Sequence, residues 1–282
     1  MNKKIKAGKP SRFSIVSYIV LIIWAIIDIF PIYWMVTFSL KENDEIFGQN
    51  IIGLPRNWVI QNYADAFEVG NMKLYFMNSI LVTGLTILFT VVFSLMACYA
   101  LTRLEWRGRK LVNNIFMLGL TVPIHAALIP VLVILRYLKM TNSYQALIIP
   151  YTAFALAMGI MIFSSFIENI PKELEEAACI DGCGIMGIFF RVVLPLMKPA
   201  IAAVAIFTFL QAWNELMFAT VFINDSAHRT LTVGINTFFG AYTTRWGPIG
   251  AALVIATLPT LVVYSFMSKK IQGSLIAGAV KG

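Results

Sequence analysis

The chain has 282 residues, of which 59% are hydrophobic and 13% charged. A soluble domain runs at about 45–50% apolar and about 25% charged. One water-soluble globule of this length cannot hide so much apolar surface, and the same composition excludes an intrinsically disordered chain. A net charge of +8 points toward nucleic acid only until its basic residues are placed, and three cysteines are too few for a disulfide scaffold.

The apolar residues fall into long windows. A tail at 1–12 carries Lys3, Lys4, Lys6, Lys9 and Arg12, and the window from Phe13 to Leu40 then contains Asp28 as its one charge. The window is too long for a cleaved signal sequence and no small-residue cleavage site follows, so it is read as a retained first span. The windows Leu74 to Thr102, Leu111 to Leu135, Met140 to Ile167 and Trp246 to Ser268 carry no Lys, Arg, Asp or Glu. Pro199 to Asn224 carries Glu215 alone. Each exceeds the roughly 20 residues that a helix needs to cross a hydrocarbon core of about 30 Å. None alternates in the manner of a membrane β-strand. The expected architecture is all-α and polytopic, with six transmembrane helices in a domain at 13–268 and a tail at 269–282.

Orientation follows from Lys and Arg, which concentrate on the cytoplasmic side. The tails and the connections after the second and fourth spans hold fifteen of the 22 basic residues; the opposite side holds seven. Both termini are therefore expected in the cytoplasm, and the basic excess faces an anionic inner leaflet, not DNA. Two connections are long. The segment 41–73 faces outward and carries five acids against three bases. The segment 169–198 faces inward. The shorter outward stretch from Asp225 to Arg245 is a second candidate contact surface.

Ionisable groups at bilayer depth are costly and normally face protein or water. Gln211, Trp213, Asn214 and Glu215 cluster in the fifth window. Amides, a carboxylate and an indole at this depth can face a polar path, so these four are candidates for a substrate path. The bland alternative for Glu215 is interhelical bonding. Asp28, beside Pro31, reads as structural. His125, between Pro123 and Pro130, is expected to satisfy a carbonyl that those prolines free. Cys179 and Cys183 are read as small buried thiols with no metal.

The inward segment Pro171 to Pro199 reads PKELEEAACIDGCGIMGIFFRVVLPLMKP. Pro171 and the acids Glu173, Glu175 and Glu176 suit the start of a helix, and Asp181-Gly182 reads as the turn that stops it. Leu174, Ala177, Ala178 and Asp181 then share one nearly flat face that another protein could approach closely. From residue types alone this could be an ordinary surface helix. The run of Glu176-Ala177-Ala178, three residues, Gly182, nine residues, Val192, one residue and Leu194-Pro195 resembles the EAA loop of ABC importer membrane subunits. Val192 stands where that family often has Ile. Asn62-Tyr63, Asn78-Ser79, the stretch Gln211 to Glu215 and the C-terminal GSLIAGAVKG resemble the sugar permeases of the maltose-transporter type.

That resemblance implies a permease subunit translocating a sugar or oligosaccharide by alternating access. It also implies a second homologous permease, two cytoplasmic ABC ATPase subunits and an extracytoplasmic solute-binding protein, in a prokaryotic cytoplasmic membrane. The ATPase-coupling residues would be Glu173, Glu176, Ala177, Ala178, Asp181, Gly182, Leu194 and Pro195. This chain has no Gly-x-x-x-x-Gly-Lys-Ser/Thr loop. It is expected to have no enzymatic role and no cofactor of its own, with ATP and Mg bound by the partner ATPases. The family's end at 269–282 would reach that ATPase interface, whereas small terminal residues by themselves suggest a frayed end. Rival readings are a permease for a non-sugar solute, an ion-coupled secondary transporter using Asp28 and Glu215, and an intramembrane enzyme using His125 and Glu215.

Overall fold

The computed structural model describes residues 12–68, 70–239 and 244–279; the basic tail before Arg12 and the last three residues lie outside them. Fourteen α-helices occur among the described residues. They are α1 (Arg12–Phe38), α2 (Asn43–Ile46), α3 (Gln61–Glu68), α4 (Met72–Thr102), α5 (Arg109–Gly119), α6 (Leu128–Tyr137), α7 (Gln145–Ile167) and α8 (Glu173–Ile180), then α9 (Ile185–Ile188), α10 (Leu194–Leu196), α11 (Lys198–Trp213), α12 (Met217–Phe222), α13 (Leu231–Gly234) and α14 (Trp246–Ala279). One isolated β-bridge, Phe239 to Thr244, accompanies them.

Four helices, α1, α4, α7 and α14, are long and apolar enough to cross a membrane unbroken. The third window, where Pro123 and Pro130 predict a kink, is broken, and so is the fifth, expected as one through-going helix. The third turns by 96° between Gly119 and Ile124. Pro123 sits there in extended conformation, with no N–H to continue a helix. The fifth breaks after Trp213, before α12, and the chain turns by 74° between Leu196 and Lys198, just ahead of that window. Ahead of Pro195 the chain widens to a π-helix over Phe189–Val193. A wider turn relieves the clash that a proline ring makes with the carbonyl one turn back. The bend therefore falls at Met197, two residues beyond Pro195.

The chain divides into two compact units, 1–69 with 238–255 and 70–237 with 256–282. In the first, α1 is almost wholly exposed, including Asp28. The segment after it is knitted by polar side chains. Lys41, 1% exposed, donates from Nζ to the carbonyls of Asn50 (2.7 Å) and Ile51 (3.2 Å). Asn62 donates to the carbonyls of Ser39 and Lys41, each at 3.0 Å. Glu45 and Asp65, two of the five acids in this segment, serve its own structure. Glu45 accepts from Arg56 N–H and the Asn50 amide. Asp65 pairs with Arg245.

In the second unit α4, α7 and α11 pack together. One apolar cluster gathers Val82, Leu135, Leu147, Tyr151, Phe218 and Phe222. Another gathers Leu95, Phe163, Ile167, Phe189, Met197 and Val204. Between them α4 presents Thr83, Thr86, Thr90 and Ser94, all buried. Small residues at this spacing let helix backbones approach closely where lipid supplies no hydrophobic drive. A Cβ on Gly159 of α7 would lie 2.6 Å from Ser94 Oγ and 2.8 Å from Ser94 Cβ, so the contact requires glycine.

One expectation needs correction. The paired thiols are not buried, since Cys179 is exposed and Cys183 half-buried; Cys98 is the buried cysteine. At the other end of the chain, α14 runs from Trp246 to Ala279.

Candidate functional site

The segment after α7 folds as a short helix with a defined stop. Glu173, Glu175 and Glu176 occupy the first turn of α8, where carboxylates complement the helix dipole. At its other end Cys183 N–H reaches Ala178 O (2.9 Å) and Gly182 N–H reaches Cys179 O (3.0 Å). This six-to-one and five-to-two pair is the Schellman stop, and Gly182 supplies its left-handed residue at φ +83°. No side chain of α8 is fully buried. Glu173, Glu176, Ala177, Asp181 and Gly182 are exposed; Ala178 is half-buried, against the cluster around Phe189. Ile180 is 87% exposed, and Leu174, Ile185 and Met186 are exposed beside it. Farther on, Leu194 is half-buried and Pro195 exposed.

Glu175 ties α8 to the spans. Its Oε1 lies 2.8 Å from Arg103 Nε at the end of α4, with side chains 14% and 8% exposed. The two are close in charge but not aligned as a hydrogen bond. Arg103 Nη2 also donates to the carbonyls of Ile167 (2.8 Å) and Ile170 (2.6 Å), which close the end of α7. Tyr99 adds a long hydrogen bond to Glu175 Oε2 at 3.5 Å. Sequence reasoning missed this group. Arg103 counted there as one cytoplasmic base among many, and nothing local joins it to a glutamate 72 positions on.

The four candidates in the fifth window separate by environment. Trp213 is buried, donates from Nε1 to Ala256 O (3.0 Å) and stacks on Phe209. Glu215 is buried too. It accepts from Tyr151 OH (2.6 Å), Phe218 N–H (2.9 Å) and Ala219 N–H (3.1 Å). Its carboxylate thereby supplies acceptors to the open start of α12. Asn214 is exposed and bonds Leu210 O. Gln211 is half-buried beside a narrow gap lined by Met158, Gly159, Phe207 and Thr208. His125 lies edge-on to Phe218, 6.2 Å between ring centres.

A polar clamp holds the connection after α12. Asn142 (φ +58°) accepts the N–H groups of Asn224 and Asp225. Asn78 donates to the carbonyls of Ala227 and Arg229, and Ser79 accepts from Leu231 N–H. The Ala227 N–H bond and the His228 ring hold the Asp225 carboxyl below the ordinary aspartate range, against a small opposing effect of burial.

Residues 91–275 match the family of binding-protein-dependent transport system inner membrane components. The chain belongs to this family. Across 265 residues it is 37% identical to the probable ABC transporter permease protein YurM of Bacillus subtilis (strain 168), covering 94% of this chain and 88% of that one. It is 34% identical to the diacetylchitobiose uptake system permease protein NgcG of Streptomyces coelicolor, over 98% of this chain and 91% of that one. Its fold is that of a chain in a bacterial ABC transporter involved in the import of the acidic polysaccharide alginate. The TM-score there is 0.81 at 21% identity, covering 93% of this chain and 99% of that one. Membership makes the chain a transport subunit of an ABC importer, an all-helical multi-pass membrane protein. It also gives the exposed α8 a setting, since the inner membrane component of such a system works with others.

Proposed function

We propose that this permease carries a sugar or oligosaccharide across a prokaryotic cytoplasmic membrane by alternating access, with separate ATPase subunits driving the cycle. The carbohydrate assignment rests on relatives named for sugar uptake. Six spans follow if each bent pair counts as one crossing, and with the distribution of Lys and Arg both termini then lie in the cytoplasm. The spanning domain is 13–268, with 41–73 outside and 169–198 inside.

The observation that carries the reading is the surface of α8. A short, acid-tipped helix without a buried side chain, bearing Ile180 at 87% exposure, is left uncovered by its own chain. A groove on each of two ATPase subunits would receive this helix and its equivalent on a second permease. Glu173, Glu176, Ala177, Ala178, Asp181 and Gly182 would form the contact, with Leu194 and Pro195 carrying its motion toward α11. ATP and Mg would be held by the ATPases. The exposed α1, with Asp28 on it, would be covered by the second permease. The outward segment 41–73 and the clamped loop at 224–231 would receive the solute-binding protein. Within the path Gln211 and Asn214 offer amides to solute hydroxyls, while Trp213 and Glu215 shape the wall behind them.

The test is a reconstituted complex of both permeases, the ATPases and the binding protein, assayed with a panel of radiolabelled oligosaccharides. Glu176→Trp or Gly182→Trp should leave the chain inserted but break the link between ATP hydrolysis and uptake. Normal stimulated hydrolysis together with normal uptake in both variants defeats the coupling role. Uptake of no sugar in the panel defeats the substrate class.

A further inference from the structure

Granting that α8 is the surface on which the ATPase acts, its own attachment to the permease becomes a mechanical question. Apart from the peptide chain, α8 is held by Ala178, packed against the apolar cluster around Phe189, and by a polar contact at its first turn. Glu175 sits between Arg103 Nε at 2.8 Å and the Tyr99 hydroxyl at 3.5 Å. The same guanidinium places Nη2 on Ile167 O, the last carbonyl of α7, at 2.8 Å and on Ile170 O, in the turn that follows, at 2.6 Å. Three elements thus meet on one planar group: the end of α4, the end of α7 and the start of α8. Arg103 is 8% exposed on its side chain, so solvent screens the contact little. A guanidinium presents five donors in a rigid fork, and a lysine at this position could not serve a carboxylate and two carbonyls in fixed directions at once. Tyr99 is further fixed against Phe189 of the π-helix, 5.2 Å between ring centres.

We propose that Arg103 is a positioning residue that latches α8 to the ends of α4 and α7, so that a push on α8 moves all three as one block. Without the latch the push would reach the spans only through the backbone at 168–172 and through the segment 181–197, whose Ile188, Phe189, Val193 and Met197 pack in the core. Arg103 touches neither solute nor nucleotide in this account; it acts through Glu175.

The experiment places spin labels at Thr102→Cys and Ile180→Cys, in a chain whose Cys98, Cys179 and Cys183 are serine. The chain is assembled in the full complex, and electron–electron distances are measured before and after trapping with Mg-ATP and vanadate. In the native latch the distance should hold to within about 2 Å, the scale of ordinary helix shifts at interfaces. In Arg103→Gln it should broaden and shift on trapping, while the ATPase subunits still co-purify. Uptake per ATP hydrolysed, for the sugar that the panel above finds active, should fall about fivefold or more, the lower end of ordinary coupling between sites. Arg103→Lys should fall between the two. A native distance that changes on trapping by more than that limit overturns the block. So does an Arg103→Gln complex whose distances and coupling match the native ones. If Arg103→Gln does not assemble, Glu175→Gln, at a position that is not fully buried, takes its place under the same criteria. Loss of ATPase co-purification from the native complex would instead strike the docking role of α8, which separates the two failures.

Discussion

Tyr151 of α7 donates its phenolic hydrogen to Oε2 of Glu215 at 2.6 Å, joining residues 64 positions apart at the point where the fifth span breaks. The same carboxylate accepts the first free N–H groups of α12. Glu215→Ala should strip that helix end, at about 0.5–2 kcal/mol for a lost cap, and leave the phenol and two amides without their acceptor. Tyr151→Phe should cost about 1 kcal/mol. The check is the thermal unfolding midpoint of the purified complex in detergent, with Glu215→Ala below Tyr151→Phe. A normal midpoint with lost uptake would instead place Glu215 on the solute path.

Gly182 has open space where a Cβ would go and a φ of +83°. A substitution there strains the backbone and crowds nothing. The left-handed conformation costs an ordinary residue about 1–2 kcal/mol, and asparagine tolerates it better. Uptake per ATP should therefore decline in the order Asn, Ala, Val at position 182. Equal effects of all three would show that chain conformation is not what matters at this turn.

Gly159 presses on Ser94 across the α4 and α7 seam. Gly159→Val should splay the pair and destabilise by about 1–3 kcal/mol, as overpacking does. Ser94→Gly should recover part of that loss, because it removes both the Cβ and the hydroxyl in the way. Midpoints of the single and double variants measure the recovery. Simple additivity would mean that the helices do not meet at this pair.

The Asp65 carboxyl is held below the ordinary aspartate range, first by the Gln61 amide and then by Arg245. A carboxyl depressed in the folded state stabilises above its unfolded pKa, near 4, and that stabilisation drains as pH falls through the lower folded value. Hydrogen exchange over 61–68, corrected for intrinsic rates, should therefore rise below about pH 4. In Asp65→Asn the exchange should already be raised at neutral pH and respond less to acid. A native profile that stays flat in acid would remove the pair from the stability of the outer segment.

Charge-free windows at 74–102 and 140–167 were enough to read α4 and α7, because a continuous apolar run of that length has no other use in a chain so poor in charge. The Asp181-Gly182 signal likewise located the stop of α8, since turn chemistry is local. The breaks at 120–123 and at Met197 were less legible. Pro123, Pro195 and Pro199 were visible, but a proline fixes only where an N–H is missing, and neighbouring packing sets the bend.

Hydropathy, charge placement and the spacing of a short motif are properties written along one dimension, and they determined the solvent, the element type and the family. Pairings across long separations were settled only in three dimensions: Arg103 with Glu175, Tyr151 with Glu215, Asn78 with the loop at 227–229. Each joins groups whose partners could have been any of several similar residues. Burial, which makes an unmatched polar group costly, chose among them once the helices had packed.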